Sequence, residues 1–371
     1  MNLLRAGIGL GVAWLLVGAY ATSAATIVVN PGESIQAAVD AAAPGDTIRV
    51  RPGDYIETHG GTAAVRITKR LKLLAQRNRL EPPVRILPGP GNRHGILVEP
   101  ANPGDPDVEG VRIRGFTVEG FEKNGIWLRH TRRFRIEENT SINNLENGIF
   151  PTLSANGLVK RNVAYGSEDT SLWVESSENV RVIQNDFSGS PTGLEITVSR
   201  NVLAKRNTVH DNSVGIGLYH PSAASLPRLG NDGDWKIVNN RVYNNNAPNN
   251  APPGSMSAEL PSGGGVLVLG VDRVTLRNNV IENNDFFGIA MLDWCLAVDG
   301  TPFDCDTNPP EVESSPDNNK VLRNRVVNNG GNPPGGFFGT LASDILYLGG
   351  VNNCFSGNVA NLTIPAALPG C

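Results

Sequence analysis

Residues 125–209 repeat one short pattern four times. The repeats read GIWL (125–128) with FRIEEN (134–139), GIFP (148–151) with LVKRN (158–162), SLWV (171–174) with VRVIQN (180–185), and GLEI (193–196) with VLAKRN (202–207). The closing asparagines are Asn139, Asn162, Asn185 and Asn207, so the period is 23, 23 and then 22 residues. A fixed period of this size is typical of solenoid proteins, in which each repeat buries its apolar face against the next repeat.

Each repeat contains short strands rather than helices. Apolar and polar residues alternate with a period of two, and no 3.6-residue period persists beyond the N-terminus. Leucine-rich repeats have a similar period, but they need several leucines at fixed offsets and a helical half, which this chain lacks. The pattern therefore predicts an all-β fold, a right-handed parallel β-helix of about ten coils.

The asparagine column continues along the chain through Asn240, Asn279, Asn324 and Asn358. Asparagine tolerates the left-handed backbone of a sharp corner. Amides stacked at the strand spacing of ~4.8 Å can also hydrogen-bond to one another. We therefore expect these asparagines to lie at left-handed corners and to form a structural ladder with no catalytic role.

The N-terminus has the pattern of a secretory signal peptide. Arg5 precedes the apolar run 6–19, and small residues follow at 22–25, so we expect residues 1–24 to be removed. This predicts a secreted or periplasmic protein with no membrane insertion after cleavage. The formal net charge is −4 and there is no basic block, which disfavours nucleic acid as a partner.

All four cysteines lie in the last quarter of the chain. In an exported protein an even number of cysteines indicates disulfides. Proximity in sequence favours Cys295–Cys305 within one loop and Cys354–Cys371 at the C-terminal tail.

The sequence divides into a cap and a solenoid. Residues 25–60 predict a strand, a short capping helix with Ile35, Ala38, Val39 and Ala42 on its apolar face, and a second strand. Residues 61–371 form the predicted β-helix, with insertions near 221–234, 246–262 and 293–319. Insertions gathered at one edge of a solenoid usually wall a binding surface.

Two segments carry a family resemblance. The helix followed by GDTIRVRPGDY (45–55) and the stacked repeats resemble the pectate-lyase-like right-handed β-helix superfamily. More narrowly, the segment 242–284, which begins VYNNNAPNN and ends VIENN, resembles a family of exported bacterial parallel β-helix repeat proteins. The resemblance covers about residues 26 to 360. It implies the fold and leaves the activity open.

Alternation along each strand separates inward from outward side chains. One predicted outward column contains Trp127, Phe150, Trp173, Glu195, Gly217, Leu267 and Ala290, and its neighbour contains Arg129, Thr152, Glu175, Thr197, Tyr219, Leu269 and Leu292. Large aromatic residues on consecutive rungs predict a contact surface. We expect Trp127, Phe150 and Trp173 to offer ring faces on which sugars stack, with Arg129 beside them.

Candidate catalytic residues follow the aromatic residues along these columns. Glu195 and Glu175 are candidates for the acid and base of glycoside hydrolysis, which needs paired carboxylates. Tyr219 and His220, with Arg129, are candidates for β-elimination or epimerisation of a uronic acid. The structural alternative is that the N-terminal segments or a partner cover the aromatic stripe, and that the glutamates only solvate a sheet face.

The sequence predicts no resident metal or cofactor, and calcium is the one candidate cation. Residues 231–234 read NDGD, which resembles part of a calcium loop but lacks its remaining acidic positions. Two classes of function follow. One is an exported protein that binds or modifies a polysaccharide by lyase, epimerase or hydrolase chemistry. The other is a non-catalytic scaffold that docks another exported protein.

Overall fold

A computed structural model describes residues 24–77, 80–219, 233–307, 309 and 313–371. The described strands form three long parallel sheets that wind as a right-handed parallel β-helix. This confirms the fold predicted from the repeats. The predicted signal peptide falls almost entirely outside the described residues, as do His220 and most of the first insertion.

Each sheet takes one strand from each coil. The first sheet comprises Thr26–Val29, Thr47–Val50, Lys72–Ala75, Arg112–Arg114, Arg135–Glu137, Leu158–Lys160, Arg181–Ile183, Leu203–Lys205, Lys236–Val238, Thr275–Arg277, Lys320–Leu322 and Cys354–Ser356. The second comprises Gly53–Ile56, Val84–Leu87, Phe116–Glu119, Thr140–Ile142, Val163–Tyr165, Asp186–Ser188, Thr208–His210, Arg241–Tyr243, Val280–Glu282 and Arg325–Val327. The third comprises Ala63–Ile67, His94–Val98, Ile126–Arg129, Asn147–Thr152, Thr170–Glu175, Thr192–Thr197, Val214–Tyr219, Gly264–Leu269, Phe287–Leu292, Ser343–Leu348 and Thr363–Ile364. A short pair, Val108–Glu109 and Thr131–Arg132, lies at a corner.

Neighbouring coils pair in register, so equivalent residues stack into columns. One inward column of the third sheet consists of Ile126, Ile149, Leu172, Leu194, Ile216, Val266, Ile289 and Ile345. Every member is buried in the main apolar core. Because strand side chains alternate between the two faces of a sheet, a shift of one residue would expose the whole column. Burial of each such side chain contributes about 1.5–3 kcal/mol.

A short helix packs at the N-terminal end of the solenoid. It spans Ile35–Ala41, and the Ser34 side chain caps it by accepting from the backbone N–H of Ala37. Ile35 and Val39 are buried in the main core, as the sequence pattern predicts. The buried carboxylate of Glu57 accepts from the backbone N–H of Ile35 at 2.7 Å, which satisfies a second free donor of the first turn.

The predicted asparagine ladder is present inside the solenoid. The side-chain amide of Asn139 donates to Oδ1 of Asn162 at 3.1 Å, and that of Asn162 donates to Oδ1 of Asn185 at 3.0 Å. The same links continue through Asn207, Asn240, Asn279, Asn324 and Asn358. Each oxygen also accepts the backbone N–H of the asparagine one coil earlier, as between Asn162 and Asn185 at 2.9 Å. The ladder therefore satisfies buried backbone groups at the same corner of successive coils.

The expected left-handed backbone of these asparagines is wrong. The left-handed residue is the one before each ladder asparagine, for example Arg161 with φ of 55° and Gln184 with φ of 57°. The chain turns sharply at this preceding residue, and the next side chain then points into the solenoid. The asparagine is required for its amide, which has both a donor and an acceptor.

A second asparagine ladder was not predicted. It runs through Asn212, Asn245, Asn284 and Asn329, and it ends on the carboxylate of Asp344. The hydrogen bonds donated by the side-chain amides along it are 2.8–3.0 Å long. A serine ladder occupies another corner, where the backbone N–H groups of Ser154 and Ser177 donate to the hydroxyls of Ser177 and Ser199.

Both predicted disulfides are present. Cys295–Cys305 closes a loop that follows the third-sheet strand Phe287–Leu292. Cys354–Cys371 ties the C-terminal tail to the last strand of the first sheet. The backbone N–H of Phe355 donates to the carbonyl of Pro369 at 2.8 Å beside the second bridge.

The insertions cover the outer face of the third sheet in its C-terminal half. The 246–262 insertion contains the 3₁₀ helix Met256–Glu259, and the 293–319 insertion contains the helix Trp294–Val298. A further insertion, which the sequence did not indicate, contains the 3₁₀ helix Gly336–Leu341. Their apolar residues form a second core with the outward side chains of the sheet.

We predict that Asn185→Ala destabilises the protein by roughly 3 kcal/mol or more, because it leaves buried donors and acceptors unpaired in two neighbouring coils. Its amide nitrogen donates to the carbonyl of Val159 and to Asn207, and its oxygen accepts twice from Asn162. The matched control is Asn361→Ala, at an exposed position. Urea unfolding should show little change for the control, and an equal loss for both variants would contradict a ladder role.

Candidate functional site

The candidate site lies on the outer face of the third sheet. The register pairs Trp127 with Phe150, Trp173 with Glu195, and Glu195 with Gly217. The predicted outward column is therefore present in the predicted order. In the C-terminal direction the column continues as Leu267 and Ala290, which the insertions cover.

The aromatic side chains of this column stack on one another. The ring centroids of Trp127 and Phe150 lie 6.1 Å apart at an interplanar angle of 7°, and those of Phe150 and Trp173 lie 4.7 Å apart at 12°. His94 lies at the other end, 4.9 Å from Trp127. Phe150 is consequently buried between two indoles, while Trp127 and Trp173 are half-buried.

The expected platform of ring faces is not what the structure shows. The repeat of the sheet brings equivalent residues within stacking distance, so the rings use their faces on one another. The indole N–H of Trp173 donates to Oγ1 of Thr197 at 2.8 Å, which fixes its ring. The surface that this stack presents is formed largely by ring edges.

Glu195 is a buried carboxyl directly after the aromatic stack. It is 5% exposed, and Oγ1 of Thr170 donates to its Oε2 at 3.1 Å. Burial raises the pKa of Glu195 well above its ordinary value, and the charges of Asp169 and Glu175 raise it further. Glu195 therefore holds a proton at pH values where an exposed glutamate is ionised.

Tyr219 lies over the next position of the same column. Its ring folds back across Gly217, where a Cβ atom would overlap the phenol ring and hydroxyl. Gly217 is the register partner of Glu195, so this fold brings the phenol towards the carboxyl. Burial, followed by the charge of Glu195, raises the pKa of Tyr219 well above its ordinary value.

Asp169 is a third acidic group at the site, and sequence reasoning missed it. It immediately precedes the strand that carries Thr170 and Trp173. Burial raises the pKa of Asp169, while a hydrogen bond with Ser257 of the second insertion opposes that rise. The sequence does contain a signal for Asp169. An acidic residue directly before a strand lies at the edge of the sheet over which the next insertion folds.

The hydroxyl groups of Tyr219 and Thr192 interact with each other beside Glu195. Oδ1 of Asp169 makes no hydrogen bond to the described residues. Thr192 is the register partner of Thr170, whose hydroxyl donates a hydrogen bond to Glu195. Buried polar groups without partners are rare in native proteins and are concentrated at functional sites.

Glu175 lies in the neighbouring column, diagonal to Glu195. Strand spacing and rise put the two Cα atoms about 8 Å apart. Oγ1 of Thr152 donates to Oε2 of Glu175 at 2.8 Å, and burial raises the pKa of Glu175. The structure therefore brings Glu175, Glu195, Asp169 and Tyr219 together.

Arg129 is not part of this cluster. The column places Arg129 and Tyr219 four strands apart, about 19 Å along the sheet at the usual spacing. Its guanidinium instead lies 5.9 Å from the Trp127 ring centroid and 4.0 Å from the Glu99 carboxylate. The predicted pairing of Arg129 with Tyr219 on one sugar ring is therefore not supported by their positions. His220 lies outside the described residues.

The candidate calcium loop is only partly described. Asp234 forms an ion pair with Arg273 at 3.4 Å, whereas residues 231 and 232 are not described. Within the described residues, no group of three or more histidine, cysteine or acidic side chains is arranged to hold a metal ion. The described part of the chain also contains no helix with the length and apolar character that crossing a membrane requires.

Comparisons with known proteins agree with the fold. A family model described as "Right handed beta helix region" matches residues 94–227. The A-module of mannuronan C-5 epimerase AlgE4 from Azotobacter vinelandii superposes with a TM-score of 0.61 at 16% identity, covering 88% of this chain and 90% of that chain. The Dettilon tailspike protein superposes with a TM-score of 0.54 at 15% identity, covering 90% of this chain and 58% of that chain. No curated protein matches the sequence.

The family match and the two superpositions agree that this chain has the right-handed parallel β-helix fold. At these identities the likeness to solved structures establishes the fold, and the chemistry has to be argued from the side chains.

We predict that Glu195→Gln stabilises the protein near neutral pH. The folded pKa of Glu195 lies above its ordinary value of 4.5, so the native state binds the proton more tightly than the unfolded state. The free energy of unfolding therefore falls as pH rises from the unfolded pKa through the folded pKa, and glutamine removes this fall. Thermal unfolding should show a Tm difference that is small below about pH 4.5 and grows towards neutrality. Parallel pH profiles for both proteins would exclude a buried protonated acid.

We predict that Gly217→Ala destabilises the protein by about 1–3 kcal/mol, because the new methyl group overlaps the Tyr219 ring. Gly331→Ala is the control, since a Cβ at Gly331 meets no atom within 4 Å. In a Tyr219→Ala background the cost of Gly217→Ala should largely disappear, because contacting residues are coupled in a double-mutant cycle. An unchanged cost in that background would place the Tyr219 ring elsewhere.

Proposed function

We propose that this chain is an exported enzyme that binds a polysaccharide along the third sheet and modifies it by acid–base chemistry at Glu195. The observation that carries the proposal is the cluster formed by buried Glu195 and Tyr219 with the half-buried carboxyls of Asp169 and Glu175. Within this cluster, Oδ1 of Asp169 has no hydrogen-bond partner among the described residues, and an unpaired buried polar atom costs about 1–3 kcal/mol.

Glu195 suits the role of proton donor. A carboxyl whose pKa is raised by burial keeps its proton to a higher pH than an exposed glutamate and can transfer it to a departing oxygen. The adjacent Tyr219 hydroxyl can donate a hydrogen bond to the same sugar, because its raised pKa keeps it neutral. Glu175 or Asp169 would then supply the second carboxyl that hydrolysis requires.

The carboxyl groups of Glu195 and Glu175, whose Cα atoms lie about 8 Å apart, favour hydrolysis over elimination or epimerisation. Those two reactions act on a uronic acid and need a cation to stabilise the substrate carboxylate. None of the interactions that shift the pKa values of Glu195, Asp169, Glu175 and Tyr219 comes from a cation among the described residues. Arg129 lies four strands from Tyr219.

The comparisons support the class of substrate. The AlgE4 module is by name a mannuronan C-5 epimerase, so a polysaccharide-modifying enzyme uses this fold over nearly the full length of the chain. The two disulfides support an exported location, because disulfides persist in oxidising compartments.

Binding along the sheet would place a sugar chain against the edges of the aromatic stack. Trp173 is the member next to Glu195 in register, and it is half-buried and anchored by Thr197. A sugar that contacts Trp173 would therefore present its neighbouring bond to Glu195.

The test uses a panel of neutral and uronate-containing polysaccharides. Hydrolysis releases reducing ends, elimination produces an unsaturated sugar that absorbs ultraviolet light, and epimerisation changes the proton spectrum without cleavage. We expect reducing ends from a neutral or mixed polysaccharide. Glu195→Gln should lower the rate by about 10²–10⁴ while binding persists.

The matched control is Glu282→Gln, because Glu282 lies on the second sheet in an ion pair with Arg241. It should retain wild-type rates. Full activity of Glu195→Gln would remove Glu195 from the mechanism. Failure of the wild-type protein to bind any polysaccharide would instead favour the scaffold that docks an exported protein.

A further inference from the structure

An apolar cavity lies further along the same sheet face. It encloses about 320 Å³ and is lined almost entirely by apolar side chains. Its floor is formed by outward residues of the third sheet, among them Leu267, Leu292 and Leu346. Two steps of register separate Leu267 from Glu195, so the cavity is about 10 Å from the candidate site.

Three insertions form the walls of this cavity. Leu260 comes from the 246–262 insertion, Ala297 from the helix Trp294–Val298, and Leu341 from the 3₁₀ helix Gly336–Leu341. The disulfide Cys295–Cys305 holds the middle wall in place. The cavity is thus built by segments far apart in sequence, not left between two strands.

The mouth carries exposed apolar side chains and two acids. Leu296 is 58% exposed, Phe337 73% and Phe338 49%, and all three line the cavity. Glu259 and Asp299 are the two charged residues of the lining, and both are exposed. Exposed apolar residues around a concave site indicate a contact with an apolar partner.

We propose that this cavity binds the alkyl or acyl chain of an amphiphile whose head group is cationic or uncharged. The described lining contains no cationic side chain to attract an anionic ligand, and Glu259 and Asp299 at the rim would repel one. The volume corresponds to roughly ten groups of the size of a water molecule or a methylene. A single unbranched alkyl chain fits such a concave apolar space.

This proposal is independent of the reaction proposed at Glu195. The test is calorimetric titration of the full chain with hexyl, octyl and decyl trimethylammonium, each below its micellar concentration, and with the matching alkyl sulfates. Affinity for the trimethylammonium series should rise about fourfold with each added methylene. The decyl cation should bind more tightly than decyl sulfate, and Glu259→Gln with Asp299→Asn should narrow that difference.

Filling the cavity should abolish the binding. Ala297→Trp should weaken decyl trimethylammonium binding at least tenfold, and Leu292→Phe, a smaller change at a half-buried position, serves if the first variant does not fold. Leu145→Ala is the control, because Leu145 is an exposed apolar residue outside the cavity lining. It should leave the affinity unchanged.

Three results would overturn the proposal. The first is the absence of saturable binding by any of the amphiphiles. The second is equal affinity of folded Ala297→Trp and wild type. The third is a dimer in light scattering that Phe337→Ser dissociates, with no alkyl binding, since the mouth would then be a contact between two copies of the chain.

Discussion

In-register pairing between coils is the constraint on which this structure depends. Outside its own strand, each residue lies closest to its counterpart in the next coil, at the spacing of β-strands. The effect on stability depends on what is repeated. Repeated aliphatic residues build the core, repeated asparagines satisfy buried backbone groups, and repeated aromatic rings stack. Carboxyls brought together by the same repeat oppose ionisation instead: burial raises the pKa of Glu195, and the charge of Glu175 adds to that rise. At the candidate site the backbone repeat continues unchanged, and the acidic side chains that it brings together oppose one another's ionisation.

The break in repetition at Gly217 is as important as the repeat. A side chain at this position would continue the outward column, but glycine leaves room for the Tyr219 ring to cross from the neighbouring column. The column thus passes from aromatic stack to acid to phenol over three coils. Beyond Tyr219, the insertions cover the sheet with a second apolar core. Open aromatic surface, acidic cluster and enclosed cavity follow one another along a single sheet face.

Much of this arrangement was predictable because the period of two and the period near 23 are local signals. The fold, the outward columns, the capping helix and the two disulfides all follow from residues close in sequence. The backbone conformation of the ladder asparagines was predicted wrongly, since asparagine is favourable both at left-handed corners and in amide ladders, and the sequence does not separate the two. The face-to-face stacking of Phe150 and Trp173 depends on ring orientation, which alternation does not specify. Asp169 and the apolar cavity depend on insertions that return to the sheet from distant points of the chain.

The asparagine ladders also have a direction. In every link the amide nitrogen of one coil donates to the oxygen of the following coil, so the amide dipoles point the same way along the solenoid axis. The asparagine of a duplicated coil inserted within the ladder would accept from the amide N–H of the preceding coil and donate to the amide oxygen of the following coil. The second ladder ends on Asp344, whose carboxylate accepts from Asn329 on one side and from the backbone N–H of Asn361 on the other. The aspartate side chain carries no N–H group, so a coil added beyond it would receive no amide donor from the ladder. Asp344 thus ends the second ladder.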